Sequence, residues 1–147
     1  MRNRSGIILI EDNNLAVIER QRAGLHYFVI PGGGIDESET PEQTAVREAE
    51  EELGIIVELK QKVAEVFISE NTQYYFLAGR VSGEFGTGTG EEYGEYKPEH
   101  GTYLPTWMPI NDVASNNVVP RQLADLVVRC SREGWPQAPV KIFEEKK

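Results

Sequence analysis

Hydrophobic residues recur along the chain in short runs that predict strands separated by turns. Residues 6–10 form a continuous apolar run of strand length, which predicts a buried strand. A turn signal at residues 12–14 follows it. Six further runs have strand character: 15–20, 26–30, 55–59, 63–68, 74–81 and 103–108. The C-terminal segment 141–147 either adds a last strand or stays outside the sheet.

Residues 41–53 predict the first helix. Thr40 suits the N-cap, Pro41 suits the first helical position, and Gln43 stands where a capping box requires it. Gly54 follows as a left-handed C-terminal stop. The helix therefore has sequence signals at both of its ends.

A second, amphipathic helix is predicted at residues 120–132, after a short helical turn at 111–114. Cys130 repeats the helical spacing of the apolar positions Leu123, Leu126 and Val127, so we interpret it as a core residue rather than a catalytic thiol. It is the single cysteine of the chain, which excludes an internal disulfide and suits a reducing cytoplasm.

The first helix has two distinct faces. Its apolar sector, expected to face the core, contains Ala45, Val46, Ala49 and Leu53. Glu48, Glu51 and Glu52 share a second face, where like charges repel by a few tenths of a kcal/mol per pair. A charge-rich surface helix is the ordinary interpretation of such a run. The functional interpretation is that the carboxylates bind a hard divalent cation, Mg²⁺ or else Mn²⁺.

A glycine-rich turn and a long loop are the other candidate functional segments. The strand at residues 27–30 leads into Pro31 and three glycines, a turn that can bring backbone N–H groups close to a ligand. No Lys-Ser/Thr pair follows it, so it is not a P-loop. Residues 82–102 form a long loop rich in glycine and glutamate, and loops of that length are usually functional or disordered.

Length, composition and charge narrow the function classes. The chain has 147 residues and 39% hydrophobic content, so we expect one soluble domain over residues 1–147. No apolar stretch reaches membrane-spanning length, and we expect no membrane partner. The net charge of −9 argues against duplex nucleic acid as a partner. A small anionic nucleotide stays compatible with that charge if metal ions supply the positive charge.

The spacing of residues 33–55 is highly specific. It has the form G-x5-E-x7-R-E-U-x-E-E-x-G-U, where U is aliphatic. Gly33 is its first residue and Glu39 is its first glutamate. This pattern resembles the signature of the Nudix hydrolases, and from average composition it arises by chance at well below roughly one start position in a million. Residues 107–113 are similar to a second, weaker segment of that family.

The resemblance implies a fold, a reaction and a set of site residues. The fold is an α/β (α+β) Nudix α/β/α sandwich, with a mixed β-sheet between helices. The reaction is the metal-dependent hydrolysis of a nucleoside diphosphate linked to another moiety. The residues carried over are Glu48, Glu51 and Glu52 as metal ligands and catalytic groups, Arg47 as the residue that orients them, Gly33 and Gly34 in the substrate loop, and Glu39 at the loop–helix junction.

Several roles stay open at this level. The general base is Glu51 or Glu52 as the first choice, and Glu91 or Glu92 as loop candidates. Outside the signature, the candidate substrate contacts are Arg22, its neighbour Arg20, and Tyr27. A nucleoside triphosphate or modified nucleotide is the favoured substrate. The alternatives are ADP-ribose or a sugar nucleotide, a dinucleoside polyphosphate, and a binding module that senses a nucleotide without cleaving it. A homodimer is also open.

Overall fold

The apolar run at residues 6–10 lies at the centre of a mixed β-sheet. The computed structural model describes residues 2–88 and 102–144. Within these ranges the strands are β1 (Arg4–Glu11), β2 (Asn14–Arg22), β3 (Leu25–Val29), β4 (Gly32–Gly34), β5 (Ile55–Ile68), β6 (Asn71–Gly83), β7 (Leu104–Pro109), β8 (Val118–Val119) and β9 (Val140–Glu144). The helices are α1 (Pro41–Leu53), α2 (Ile110–Val113) and α3 (Arg121–Glu133).

The sheet follows the order β8-β3-β2-β1-β6-β5-β9, with β4 paired to β1 and β7 paired to β2. The β1–β6, β3–β8 and β5–β9 pairs are parallel, and the other pairs are antiparallel. One edge of β1 pairs with β6, and its other edge is shared between β2 at Ile10 and β4 at Gly6. The glycine strand β4 therefore lies where β1 and β2 separate.

Helices cover both faces of the sheet. Ile7 and Leu9 of β1 pack on one face against the apolar side of α1, whereas Ile8 packs on the other face in the cluster that contains Leu123 of α3. Alternate residues of β1 thus contact different helices, which explains why its sequence is apolar without interruption. The sandwich expected from the resemblance is confirmed. No helix in the described residues is long and apolar enough to cross a membrane.

Several element bounds differ from the sequence prediction. The runs 55–59 and 63–68 form one strand, β5, because register shifts between Ile56 and Ala64 accommodate the polar residues that separate the two runs. Strand β6 continues to Gly83, beyond the predicted start of the long loop. The short strands β4 and β8 were not predicted. The C-terminal segment adds β9, which pairs with β5. Val46 on α1 is only partly buried.

Candidate active site on α1 and β4

Local hydrogen bonds determine where α1 begins and ends. The Thr40 hydroxyl accepts from the backbone N–H of Gln43 at 3.1 Å, and the Gln43 side chain accepts from the N–H of Thr40 at 2.9 Å. At the other end, Gly54 adopts a left-handed φ of 78° and donates its N–H to Glu50 O. The predicted bounds and capping box are confirmed. They determine which way every side chain of the helix points.

Arg47 is the centre of the polar network on α1. Its Nε and Nη2 donate to the two carboxylate oxygens of Glu39 at 2.7 and 2.8 Å, a bidentate pair. Its Nη1 donates to both Glu48 Oε2 and Glu51 Oε2 at 2.9 Å. Nη2 also reaches the carbonyl of Gly34 at 3.2 Å. One guanidinium therefore organises three carboxylates and joins α1 to β4.

Glu39 is held ionised by these hydrogen bonds. Besides Arg47, the Thr44 hydroxyl donates to Glu39 Oε1 at 2.8 Å, and the N–H of Asp36 donates to the same oxygen at 3.2 Å. Hydrogen bonds from Arg47, and then from Thr44, lower the pKa of Glu39 to about 2. The same pairing raises the pKa of Arg47 above its usual range. Both groups are charged throughout the neutral range.

Two carboxylates of α1 lie against the glycine strand. The Glu48 carboxylate occupies the space that a Cβ on Gly33 would need, so a larger residue at position 33 would displace it. Glu52 is buried, and its Oε1 accepts the N–H of Gly32 at 2.8 Å. The glycine-rich turn is thus a short strand that lets backbone approach two acidic side chains.

The donor set fits a hard divalent cation by its chemistry, because Glu48, Glu51 and Glu52 all offer carboxylate oxygens. Glu48 Oε2 and Glu51 Oε2 are each 2.9 Å from the same nitrogen of Arg47, so they lie no more than about twice that distance apart. Within residues 2–88 and 102–144, no three acidic, His or Cys side chains already stand in a metal-ligating group. In the geometry observed, the positive charge beside Glu48 and Glu51 is that of Arg47.

The other predicted site residues lie on different strands or outside the described residues. Arg22 is exposed at the end of β2, opposite Leu25 of β3. Tyr27 lies opposite Arg20 on the same two strands and is half-buried. The loop candidates Glu91 and Glu92 fall outside the described residues. The structure therefore brings together the signature residues of α1 and β4, and it places Arg22 and Tyr27 on a separate part of the sheet.

Aromatic contacts near Arg20 and Trp107 were not anticipated from the sequence. Phe85 stacks on Trp107 with ring centroids 4.3 Å apart, and the Arg20 guanidinium lies 3.6 Å from the ring centroid of Tyr103. The alternation of Pro105 and Trp107 in β7, with Tyr103 just before the strand, was the available signal, because alternate residues of a strand share a face. The residues that complete these contacts, Phe85 and Arg20, are distant in sequence from Trp107 and Tyr103.

Comparison with known proteins agrees with this architecture. The NUDIX domain profile matches residues 1–127. An RNA pyrophosphohydrolase of Vibrio atlanticus is 40% identical over 74 residues, which cover 50% of this chain and 41% of the relative. The 8-oxo-dGTP diphosphatase of Escherichia coli is 37% identical over 84 residues, 52% of this chain and 65% of the relative. The matches thus span less than two thirds of either relative.

Solved structures show the same fold. A NUDIX hydrolase from Nitrosomonas europaea superposes with a TM-score of 0.76 at 18% identity, covering 99% of this chain and 79% of that one. An ADP-ribose pyrophosphatase from Streptococcus suis superposes with a TM-score of 0.66 at 17% identity, covering 97% of this chain and 98% of that one. Since the domain profile matches most of the sequence and the fold agrees, the chain belongs to the Nudix family.

Proposed function

We propose that this protein is a divalent-metal-dependent hydrolase that cleaves the pyrophosphate bond of a nucleoside diphosphate linked to another group. The observation that carries the proposal is the carboxylate face of α1, where Arg47 holds Glu48 and Glu51 and the Gly32 N–H of β4 holds Glu52. The names of the two relatives, a pyrophosphohydrolase and a diphosphatase, support cleavage of a pyrophosphate bond.

Glu48, Glu51 and Glu52 would hold the ion, with Mg²⁺ favoured and Mn²⁺ second. When bound, the ion supplies positive charge that neutralises the phosphates and lowers the pKa of a coordinated water. Glu52 is oriented by the Gly32 N–H, and Glu48 rests against Gly33, so neither carboxylate is left to solvent alone. Arg47 keeps Glu48 and Glu51 together through the two hydrogen bonds of its Nη1.

Glu51 is the best-placed general base among the three. Its side chain is 42% exposed, compared with 14% for Glu48, and Glu52 is buried. An attacking water must reach the base from solvent, which favours the exposed carboxylate. The water oxygen bonds to phosphorus, its proton passes to Glu51, and the P–O–P bond breaks with release of the second phosphate group.

A nucleoside triphosphate or modified nucleotide is the proposed substrate class. Both relatives carry names that specify nucleotide or RNA substrates, and the signature spacing is intact from Gly33 to Ile55. The proposal includes a cytoplasmic location, which suits a chain whose one cysteine, Cys130, is a buried free thiol.

The test is hydrolysis across a panel of nucleoside triphosphates, oxidised nucleotides, ADP-ribose, sugar nucleotides and dinucleoside polyphosphates. Glu51→Gln should lower kcat by roughly a hundredfold or more. Glu50→Gln is the matched control, because Glu50 is exposed on the same helix and outside the carboxylate face. Chelation should abolish activity and Mg²⁺ should restore it. Equal kcat values for the two variants, or no cleavage of any substrate, would contradict the proposal.

A further inference from the structure

The glycine strand β4 has a basic face as well as an acidic one. Because alternate residues of a strand point to opposite sides, Gly34 points away from the α1 carboxylate that meets Gly33. On that opposite side, the Arg2 guanidinium occupies the space that a Cβ on Gly34 would need. Arg4 of β1 lies opposite Gly34 in the strand register, and its Nη2 donates to the carbonyl of Gly32 at 3.2 Å. Two arginines therefore flank the side of β4 that faces away from α1.

Arg4 differs from the other arginines around β4 in the chemistry of its partner. Arg47 donates to three carboxylates, and Arg2 donates to Asp36 Oδ1 at 3.2 Å. The hydrogen bond of Arg4 goes to the neutral carbonyl of Gly32, and the residue is exposed. A carbonyl compensates less of the guanidinium charge than a carboxylate does. Arg4 therefore keeps its charge available for an anion, on a chain whose net charge is −9.

A buried tyrosine orients the amide that neighbours Arg4. The register between β1 and β6 places Gln73 beside Arg4 on the same face of the sheet. The Tyr75 hydroxyl donates to Gln73 Oε1 at 2.7 Å. Burial raises the pKa of Tyr75, so the phenol keeps its proton and acts as the donor of this hydrogen bond. The amide oxygen of Gln73 is thus directed toward Tyr75, and the amide nitrogen, which can only donate, is the end that can bind a ligand.

Gly32 connects Arg4 directly to the carboxylate face of α1. Its N–H donates to Glu52 Oε1 at 2.8 Å, and its carbonyl accepts from Arg4 at 3.2 Å. Only three covalent bonds separate the nitrogen and the oxygen of one residue, so Arg4 Nη2 and Glu52 Oε1 lie no more than about 10 Å apart. A polyphosphate group with one phosphate at the α1 carboxylates can therefore place its next phosphate at Arg4.

We propose that Arg4 and Gln73 bind a phosphate group of the substrate on the side of β4 that faces away from α1, and that Tyr75 positions the Gln73 amide for this contact. Arg4 offers charge and paired N–H donors, and Gln73 Nε2 adds a neutral donor. These groups only donate, which matches phosphate oxygens because those oxygens accept. The proposal rests on the proposed function and deepens it by assigning substrate contacts outside the signature.

Calorimetric binding of methylenediphosphonate in the presence of Mg²⁺ tests the phosphate contact without turnover, because the P–C–P link is not hydrolysed. Arg4→Gln should weaken binding about tenfold or more through loss of a charge-assisted hydrogen bond. Arg4→Lys should recover part of the affinity, since it keeps the charge but not the planar fork. Arg132→Gln is the matched control, because it removes the same charge from an exposed residue in the last turn of α3. Equal affinities for Arg4→Gln and Arg132→Gln would overturn the proposal.

A double-mutant cycle in the same binding assay tests the role of Tyr75. Tyr75→Phe keeps the buried ring and removes the hydroxyl, so it should weaken binding about threefold or more in the wild-type background. It should have no effect in Gln73→Leu, where no amide is left to orient. The same loss in both backgrounds would show that Tyr75 acts through the fold alone and would overturn its positioning role. Binding through Arg4 without cleavage of any substrate would contradict the proposed function only, whereas hydrolysis with an unchanged KM in Arg4→Gln would contradict this proposal only.

Discussion

Replacing Arg47 by lysine tests whether one guanidinium holds the acidic network together. Arg47 donates hydrogen bonds of 2.7 to 3.2 Å to Glu39, Glu48, Glu51 and Gly34, and its side chain is 30% exposed. A lysine keeps the charge but presents its donors from one point, so it cannot span these partners. If about three charge-assisted hydrogen bonds break and water partly compensates, the free energy of unfolding should fall by about 2–4 kcal/mol.

The assay is urea unfolding at neutral pH followed by tryptophan fluorescence. For a chain of this size the decrease in stability corresponds to a decrease in Tm of roughly 5–15 °C. Arg80→Lys is the matched control, because Arg80 makes one 2.8 Å ion pair with Glu11 near the surface and should cost less than about 1 kcal/mol. If Arg47→Lys unfolds with the same free energy as Arg80→Lys, the network does not stabilise the fold.

The pH dependence of folding stability tests the contribution of the pairing between Arg47 and Glu39. The pKa of Glu39 is lowered in the folded protein to about 2 from an ordinary 4.5, chiefly by Arg47. A lowered folded pKa contributes stability above the ordinary pKa, and that contribution is lost as pH falls toward the folded value. The difference in stability between wild type and Arg47→Lys should therefore be constant near neutrality and shrink below about pH 4.5. A difference that grows on acidification would refute the assignment.

Three further outcomes follow from local geometry. Gly33→Ala should lower kcat by about tenfold or more with little change in stability, because the new Cβ displaces the flexible Glu48 carboxylate. Gly79→Ala is the control in the same assay, because a Cβ at that position meets only a lysine side chain. Thr40→Ala should reduce the free energy of unfolding by about 1 kcal/mol through loss of the capping box, and an unchanged urea midpoint would contradict this. Burial raises the pKa of the Cys130 thiol, so a thiol reagent should modify it only as the protein unfolds, and rapid reaction of the native protein would show otherwise.

Features specified by neighbouring residues could be predicted from the sequence. The bounds of α1 follow from Thr40, Gln43 and Gly54, whose hydrogen bonds close within a few residues. The shared face of the α1 carboxylates follows from helical spacing alone. The burial of residues 7–9 on both sides of the sheet is consistent with their unbroken apolar character. These signals are local, so no knowledge of distant contacts was needed to interpret them.

Tertiary structure decided the features that depend on contacts between distant segments. The β4 strand forms because β1 and β2 separate there, and the bidentate pairing of Arg47 with Glu39 depends on how the chain before α1 approaches the helix. The contact of Arg20 with Tyr103 and the stacking of Phe85 on Trp107 join residues that are far apart in the sequence. Strand register is determined by which faces become buried across the whole sheet, and a shift of one residue reverses every side chain. The sequence by itself determined the signature helix and the shared face of its carboxylates, and only the fold determined what lies beside that face.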